Sequence, residues 1–282
     1  MFRTVLLMTG LALIFMFVGN LIAGTDGMII ALFMAGAINF FSYFYSDKMV
    51  LKHYKAMEAT PQSAPELYDI VGRLSKQAGL PMPKVYIVPD RVPNAFATGR
   101  NPEHAAVAAT QGLLQLLSPQ EIEGVLAHEM SHVKHYDILI GSIAAVFAGA
   151  IAMLSNVARY NAVAGSRTNS GGRQGGSGGI LAVILMPIAA TIIQMSISRT
   201  REYKADEGAA RLTRHPEWLM SSLSKLEDYS KKYRLQNATT QTAHMFIINP
   251  FGGLESLSAL FSTHPSTKDR LARLEELKRE IL

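Results

Sequence analysis

The chain has no cysteine, which excludes disulfides, thiolate metal ligands and a cysteine nucleophile together. Charge is scarce as well: Asp, Glu, Lys and Arg make up 17% of the 282 residues, against 49% hydrophobic. That balance argues against an ordinary soluble protein and for a membrane one. The net charge is only +5. In a membrane protein such a small excess belongs to Lys and Arg near the lipid surface, and nucleic acid is not an expected partner. A phosphate-binding loop is missing too. The glycine-rich stretch GSRTNSGGRQGGSGG lacks the Gly-Lys-Ser/Thr ending and reads as a flexible loop.

What is plentiful is apolar sequence in long runs. Residues 5–23, 28–45, 138–158 and 180–197 form four stretches free of charged side chains, of 19, 18, 21 and 18 residues. At ~1.5 Å per helical residue, each can cross a hydrocarbon core of ~30 Å. The first two are separated only by GTDG, which predicts a tight membrane hairpin. Two other readings remain: a cleaved signal peptide for the first run, and a buried or merely dipping helix pair for the last two. Lys and Arg give the orientation. Arg3, Lys48, Lys52, Lys55, Lys134, Arg199, Arg201 and Lys204 fall on one side, and Arg159, Arg167 and Arg173 on the other. Eight against three puts both termini in the cytoplasm.

This divides the chain into an N-terminal transmembrane hairpin (1–46), a second hairpin (138–197), and a discontinuous cytoplasmic domain (47–137 and 198–282). Within that domain, helical spacing covers 65–78. KVYIVPD (84–90) reads as a strand. NAFATG (94–99) and HAAVAAT (104–110) flank a turn, so a small antiparallel sheet is expected. A short helix starts near Gly112. Ser118-Pro119-Gln120-Glu121 is a capping-box start for another. No breaker follows it before residue 138, so one long helix is expected to run from the cytoplasm into the third apolar run. SRTREYKADEGAARLTRH continues the fourth run without a proline until Pro216. A capping box from Ser266 to Asp269 opens a terminal amphipathic helix carrying Leu271, Leu274 and Leu277.

The helix after Ser118 carries the most specific pattern, His128-Glu129-x-x-His132. Positions i and i+4 share a face, so both imidazoles can bind one Zn²⁺. Glu129, about 100° round the helix, can serve as general base towards a water that the metal acidifies. His135 lies off this line and reads as a surface residue. A third protein ligand is needed. Glu202 and Asp206 share a face at i, i+4, and either can bind the metal while the other orients a histidine.

Three motifs in order, VLAHEMSHV, SRTREYKADEGA and STHPSTKDRL, resemble the HtpX-type membrane zinc proteases. That family also includes the prenyl-protein endoproteases of eukaryotes. The likeness extends over nearly the whole chain, including the placement of the four apolar runs. It implies Glu202 as third zinc ligand, Asp206 as the support behind the ligands, and His264 near the site as a catalytic donor to the oxyanion. It implies a substrate-binding edge strand at Asn94, Ala95, Phe96 and Ala97. Arg270 follows His264 on the terminal helix; an exposed arginine is the plainer reading, and pairing with a site carboxylate the other.

The expected fold is therefore mainly α with a small antiparallel β-sheet: a four-helix integral membrane part plus a cytoplasmic gluzincin-like protease domain. The expected function is a zinc metalloendopeptidase of the bacterial inner membrane, with one Zn²⁺ per chain. It would degrade misfolded or damaged membrane proteins in a stress-response, quality-control role. Homo-oligomers or other quality-control proteins are its candidate partners. His132 lies six residues before the third run and Glu202 five after the fourth, which sets the site within about 10 Å of the membrane boundary. The alternatives are a processing protease for lipid-modified peptides and, from another class, a metal-dependent transporter. Spans without charged residues argue against transport.

Overall fold

The computed structural model describes residues 2–144, 199–232 and 265–281. The 145–198 part of the second apolar hairpin and residue His264 lie outside them. The first two apolar runs fall in one helical element, α1 (Phe2–His53), broken at Ala23 and Gly24, where φ is −140° and +61°. Gly24 takes the left-handed conformation that folds the element back on itself. The arms then touch: Asn39 Nδ2 donates to the Met8 carbonyl at 3.2 Å, and Gly19 meets Gly27 backbone to backbone. The arm Ala23–His53 is long and apolar enough to cross a membrane, and only 17% of its most apolar window is buried. Its surface is inverted relative to a soluble protein. Phe33 is 75% exposed and Phe17 63%, whereas Thr4, Ser42 and Ser46 are buried.

Beyond α1 the chain forms β1 (Met57–Glu58), α2 (Pro65–Ala78), β2 (Lys84–Val88), β3 (Ala95–Gly99), β4 (Ala105–Thr110), α3 (Gln111–Leu116) and α4 (Pro119–Lys134). Later come α5 (Arg199–Thr213), α6 (Pro216–Lys232) and α7 (Thr267–Ile281). The sheet order is β1-β2-β4-β3. β1–β2 and β3–β4 are antiparallel, but β2 and β4 run parallel, with Val85 opposite Val107. The sheet is thus mixed, not antiparallel as expected. β3 is a hairpin partner laid on the outer side of β4, so the chain must cross over to bring β4 beside β2 in the same direction.

Ser118 caps α4 as its sequence predicts: its side chain accepts from the Glu121 amide while Glu121 Oε2 accepts from the Ser118 amide at 2.8 Å. The helix does not continue unbroken into the third apolar run. It ends at Lys134, and Tyr136 adopts φ +60° before helix resumes over 137–144. A non-glycine residue in this region redirects the chain without proline or glycine to announce it.

One core unites segments that precede and follow 145–198. Leu67, Ile70 and Leu74 of α2 and Leu126 and Met130 of α4 pack with Ala209 of α5, Leu223 of α6 and Leu274 of α7. A second cluster, with Val50, Leu51, Val88 and Phe96, ties the end of α1 to the other face of the sheet.

Candidate metal centre and active site

α4 and α5 lie against each other, and the residues predicted as ligands sit where they meet. His128 Nε2 is 3.2 Å from His132 Nε2, and Glu202 oxygens lie 3.6 Å from each of them. Ligand atoms ~2.0–2.1 Å from a tetrahedral Zn²⁺ stand about 3.3–3.4 Å apart. The three side chains therefore already hold the spacing that a metal imposes. Two nitrogens and a carboxylate oxygen also suit zinc chemically, and among the described residues this is the group able to hold an ion.

The other nitrogen of each imidazole faces a carboxylate. Asp206 Oδ1 lies 2.9 Å from His128 Nδ1, and Asp137 Oδ2 lies 3.3 Å from His132 Nδ1. A proton held on each Nδ1 leaves both Nε2 lone pairs aimed at the common point. Asp206 is fixed in turn by Arg270, whose Nε and Nη2 donate at 2.8 and 2.6 Å in a two-pronged pair. Arg270 is 1% exposed, so the expectation of an exposed arginine is corrected. Arg201 stands 3.5 Å from Asp137. Asp137 was missed by the sequence reading. Its only signal was its position just beyond the metal helix.

Burial shapes the charges. It opposes a charge on His128, but hydrogen bonds that the ring donates to Asp206 and Glu202 outweigh it, and the pKa rises to about 9. Burial likewise pushes the Glu129 carboxyl above its ordinary range, against the pull of His128 and His132. Asp206 is also opposed by burial, yet the Arg270 guanidinium beside it holds its carboxyl below the usual range. Glu129, 7% exposed, accepts the Ala97 amide at 3.0 Å. A buried carboxylate with a raised pKa is suited to taking a proton and giving it back.

That bond brings β3 into the site. Ala97 reaches Glu129 through its backbone. Asn94 closes the β3–β4 ladder, its amide donating to Thr110 Oγ1 and its carbonyl accepting from the Thr110 amide, both at 2.9 Å. Ala95 is buried, and the Phe96 ring packs 5.2 Å from the Tyr54 ring, among the α1 end. Of this quartet, Ala97 reaches the site through its backbone amide, and the Phe96 side chain anchors the strand from behind. His135 is exposed and bonds Ser131, outside the ligand group.

The three grouped side chains on paired helices, with a carboxylate and an edge strand beside them, form a possible metal site. Residues 61–278 match peptidase family M48, and the chain belongs to that family. It is 65% identical to the "Protease HtpX homolog" of Campylobacter hominis over 99% of both chains. It is 62% identical to that of Campylobacter curvus, over 99% of this chain and 98% of the other. Among solved structures it is similar to the S. mikatae Ste24p crystal structure, with TM-score 0.54 and 16% identity. That match covers 95% of this chain but only 63% of the longer neighbour, a likeness of fold.

Proposed function

We propose that the protein is a zinc-dependent endopeptidase of the bacterial inner membrane that cleaves misfolded or damaged membrane proteins at the cytoplasmic face. The single observation that carries the chemistry is the Nε2–Nε2–carboxylate triangle of His128, His132 and Glu202, at 3.2, 3.6 and 3.6 Å. Bound there, zinc supplies a Lewis acid that acidifies water and polarises the scissile carbonyl. Asp206 and Asp137 orient the two imidazoles, and Arg270 holds Asp206. Glu129 accepts the proton of the attacking water. As the C–N bond breaks, it returns that proton to the leaving amine. An extended substrate segment pairs with β3, and His264 donates to the carbonyl oxygen as negative charge develops on it.

Membrane embedding is supported by the apolar exterior of α1 and by the remaining apolar runs. The cytoplasmic site is supported by the excess of Lys and Arg on the side that carries α4 and α5. Substrates whose unstructured segments emerge at the surface would meet the site directly.

The test uses full-length protein in detergent. Metal content and degradation of an unfolded membrane protein are compared for wild type, Glu129→Gln and Glu202→Gln. Glu129→Gln should keep its metal and lose at least ~10²-fold in rate. Glu202→Gln should lose the metal. Retained cleavage in Glu129→Gln overturns the mechanism. Preference for a prenylated peptide over the unfolded protein would move the function to processing of lipid-modified substrates.

A further inference from the structure

Among the described residues β3 has one neighbour in the sheet, β4. Every second peptide group of β3 therefore points away from the ladder. The Thr110 amide donates to the Asn94 carbonyl, so residue 94 faces inward and, by alternation, 95, 97 and 99 face outward. Two outward amides are engaged, by different partners. Ala97 donates to Glu129 at 3.0 Å, inside the site. Gly99 donates to Ser142 Oγ at 3.3 Å. Ser142 belongs to the helical stretch 137–144, at the entry to the apolar run that begins at 138.

The Ser142 hydroxyl is fully committed. It donates to the Ile138 carbonyl at 2.7 Å. A hydroxyl has one proton and two lone pairs, so Thr98 Oγ1, 2.7 Å away, must donate to it alongside the Gly99 amide. Ser142 is 2% exposed and Thr98 0%, so the clasp is shielded from water.

We propose that Ser142 is the stop that limits how far a substrate peptide pairs along β3. By the same alternation, the carbonyls an extended chain would pair with before Gly99 are those of Ala95 and Ala97. At Gly99 it meets the 137–144 helix, already bonded to the strand. The enzyme then reads a short extended stretch beside the scissile bond. Long strand-to-strand pairing is excluded, which favours loose segments over pieces of folded sheet. This rests on the endopeptidase reading and on β3 as its substrate strand.

Backbone N-methylation scanning of a cleavable peptide tests the idea on the full-length, zinc-loaded protein. A methyl group replaces the peptide N–H that would donate to an outward carbonyl. Two sensitive positions are expected at the two-residue strand period, each lowering kcat/KM by about tenfold or more. A third sensitive position continuing that period overturns the stop. Amide exchange of residues 95–99 supplies an independent readout. Gly99 should exchange slowly in wild type and at least about tenfold faster in Ser142→Ala. It should stay slow in Thr98→Val, which keeps the Ser142 hydroxyl. Equal Gly99 rates in wild type and Ser142→Ala, or equal acceleration in both variants, overturn it. If wild type cleaves no peptide at all, the endopeptidase reading fails, while the Gly99 contrast still decides whether Ser142 holds the strand.

Discussion

Arg270 carries a positive charge at 1% exposure, a position that the two-pronged contact with Asp206 helps to stabilise. Removing it strands a buried carboxylate, which costs about 3–5 kcal/mol. Arg270→Ala should therefore melt markedly earlier and bind zinc about 10–100-fold more weakly. Arg270→Lys should fall between, keeping the charge but not the fork. Thermal melting and titration against a chromophoric chelator check both. His128 adds a pH dependence to the metal-free protein. Its pKa is raised from 6.5 to about 9, so the protonated imidazole stabilises the fold below 6.5, and that contribution disappears as pH rises through about 9. Proton and metal compete for the ring. Zinc affinity should fall as pH drops below about 9, and Asp206→Asn should flatten that dependence. At this scale the ligands were legible, because a four-residue spacing puts His128 above His132 and Glu202 above Asp206. Arg270 was misread because arginine is exposed by default. The correcting signal was its place four residues before Leu274, on the apolar stripe of the terminal helix.

Among the elements, α4 is held at its start and along its flank. Burial works against the Glu121 charge, but Lys225, Ser221 and the Ser118 amide overcome it and lower the pKa. A depressed carboxylate stabilises the fold above its unfolded value, near 4.5, and that stability is lost as pH falls through the folded value. Glu121→Gln should thus reduce stability at neutral pH and flatten its decline as pH falls below 4.5, as urea midpoints would show. The flank depends on close approach. A Cβ at Gly124 would lie 2.7 Å from the Leu219 amide nitrogen, and one at Gly208 would strike the Ser131 side chain. Both alanine substitutions should cost about 1–3 kcal/mol. Ser131→Gly should rescue Gly208→Ala in thermal melts, while backbone at Leu219 leaves Gly124→Ala without such relief. Capping and periodicity made α2, α4 and α7 readable in the sequence. The parallel β2–β4 pair was not, because a run of β-branched and small residues looks the same whichever way its neighbour points. The turn at Tyr136 was equally silent, since nothing local to tyrosine demands a positive φ.

For the whole molecule, the core joins segments from both sides of 145–198, and α7 closes it. Leu274 is fully buried and lies one turn from Arg270. Leu274→Ala should destabilise by about 2–5 kcal/mol and, by loosening α7, should also weaken zinc retention, read by melting and metal analysis together. That two distant stretches share one core was foreseeable from their sizes, neither large enough alone. The break after Lys134 has a mechanical consequence. It is a joint, with His128 and His132 before it and the 137–144 stretch after it. The hydroxyl of Ser142 bonds β3 from beyond that joint. A tilt of the 137–144 stretch would then be felt in two places at once, by β3 through Ser142 and by the His132 imidazole through Asp137.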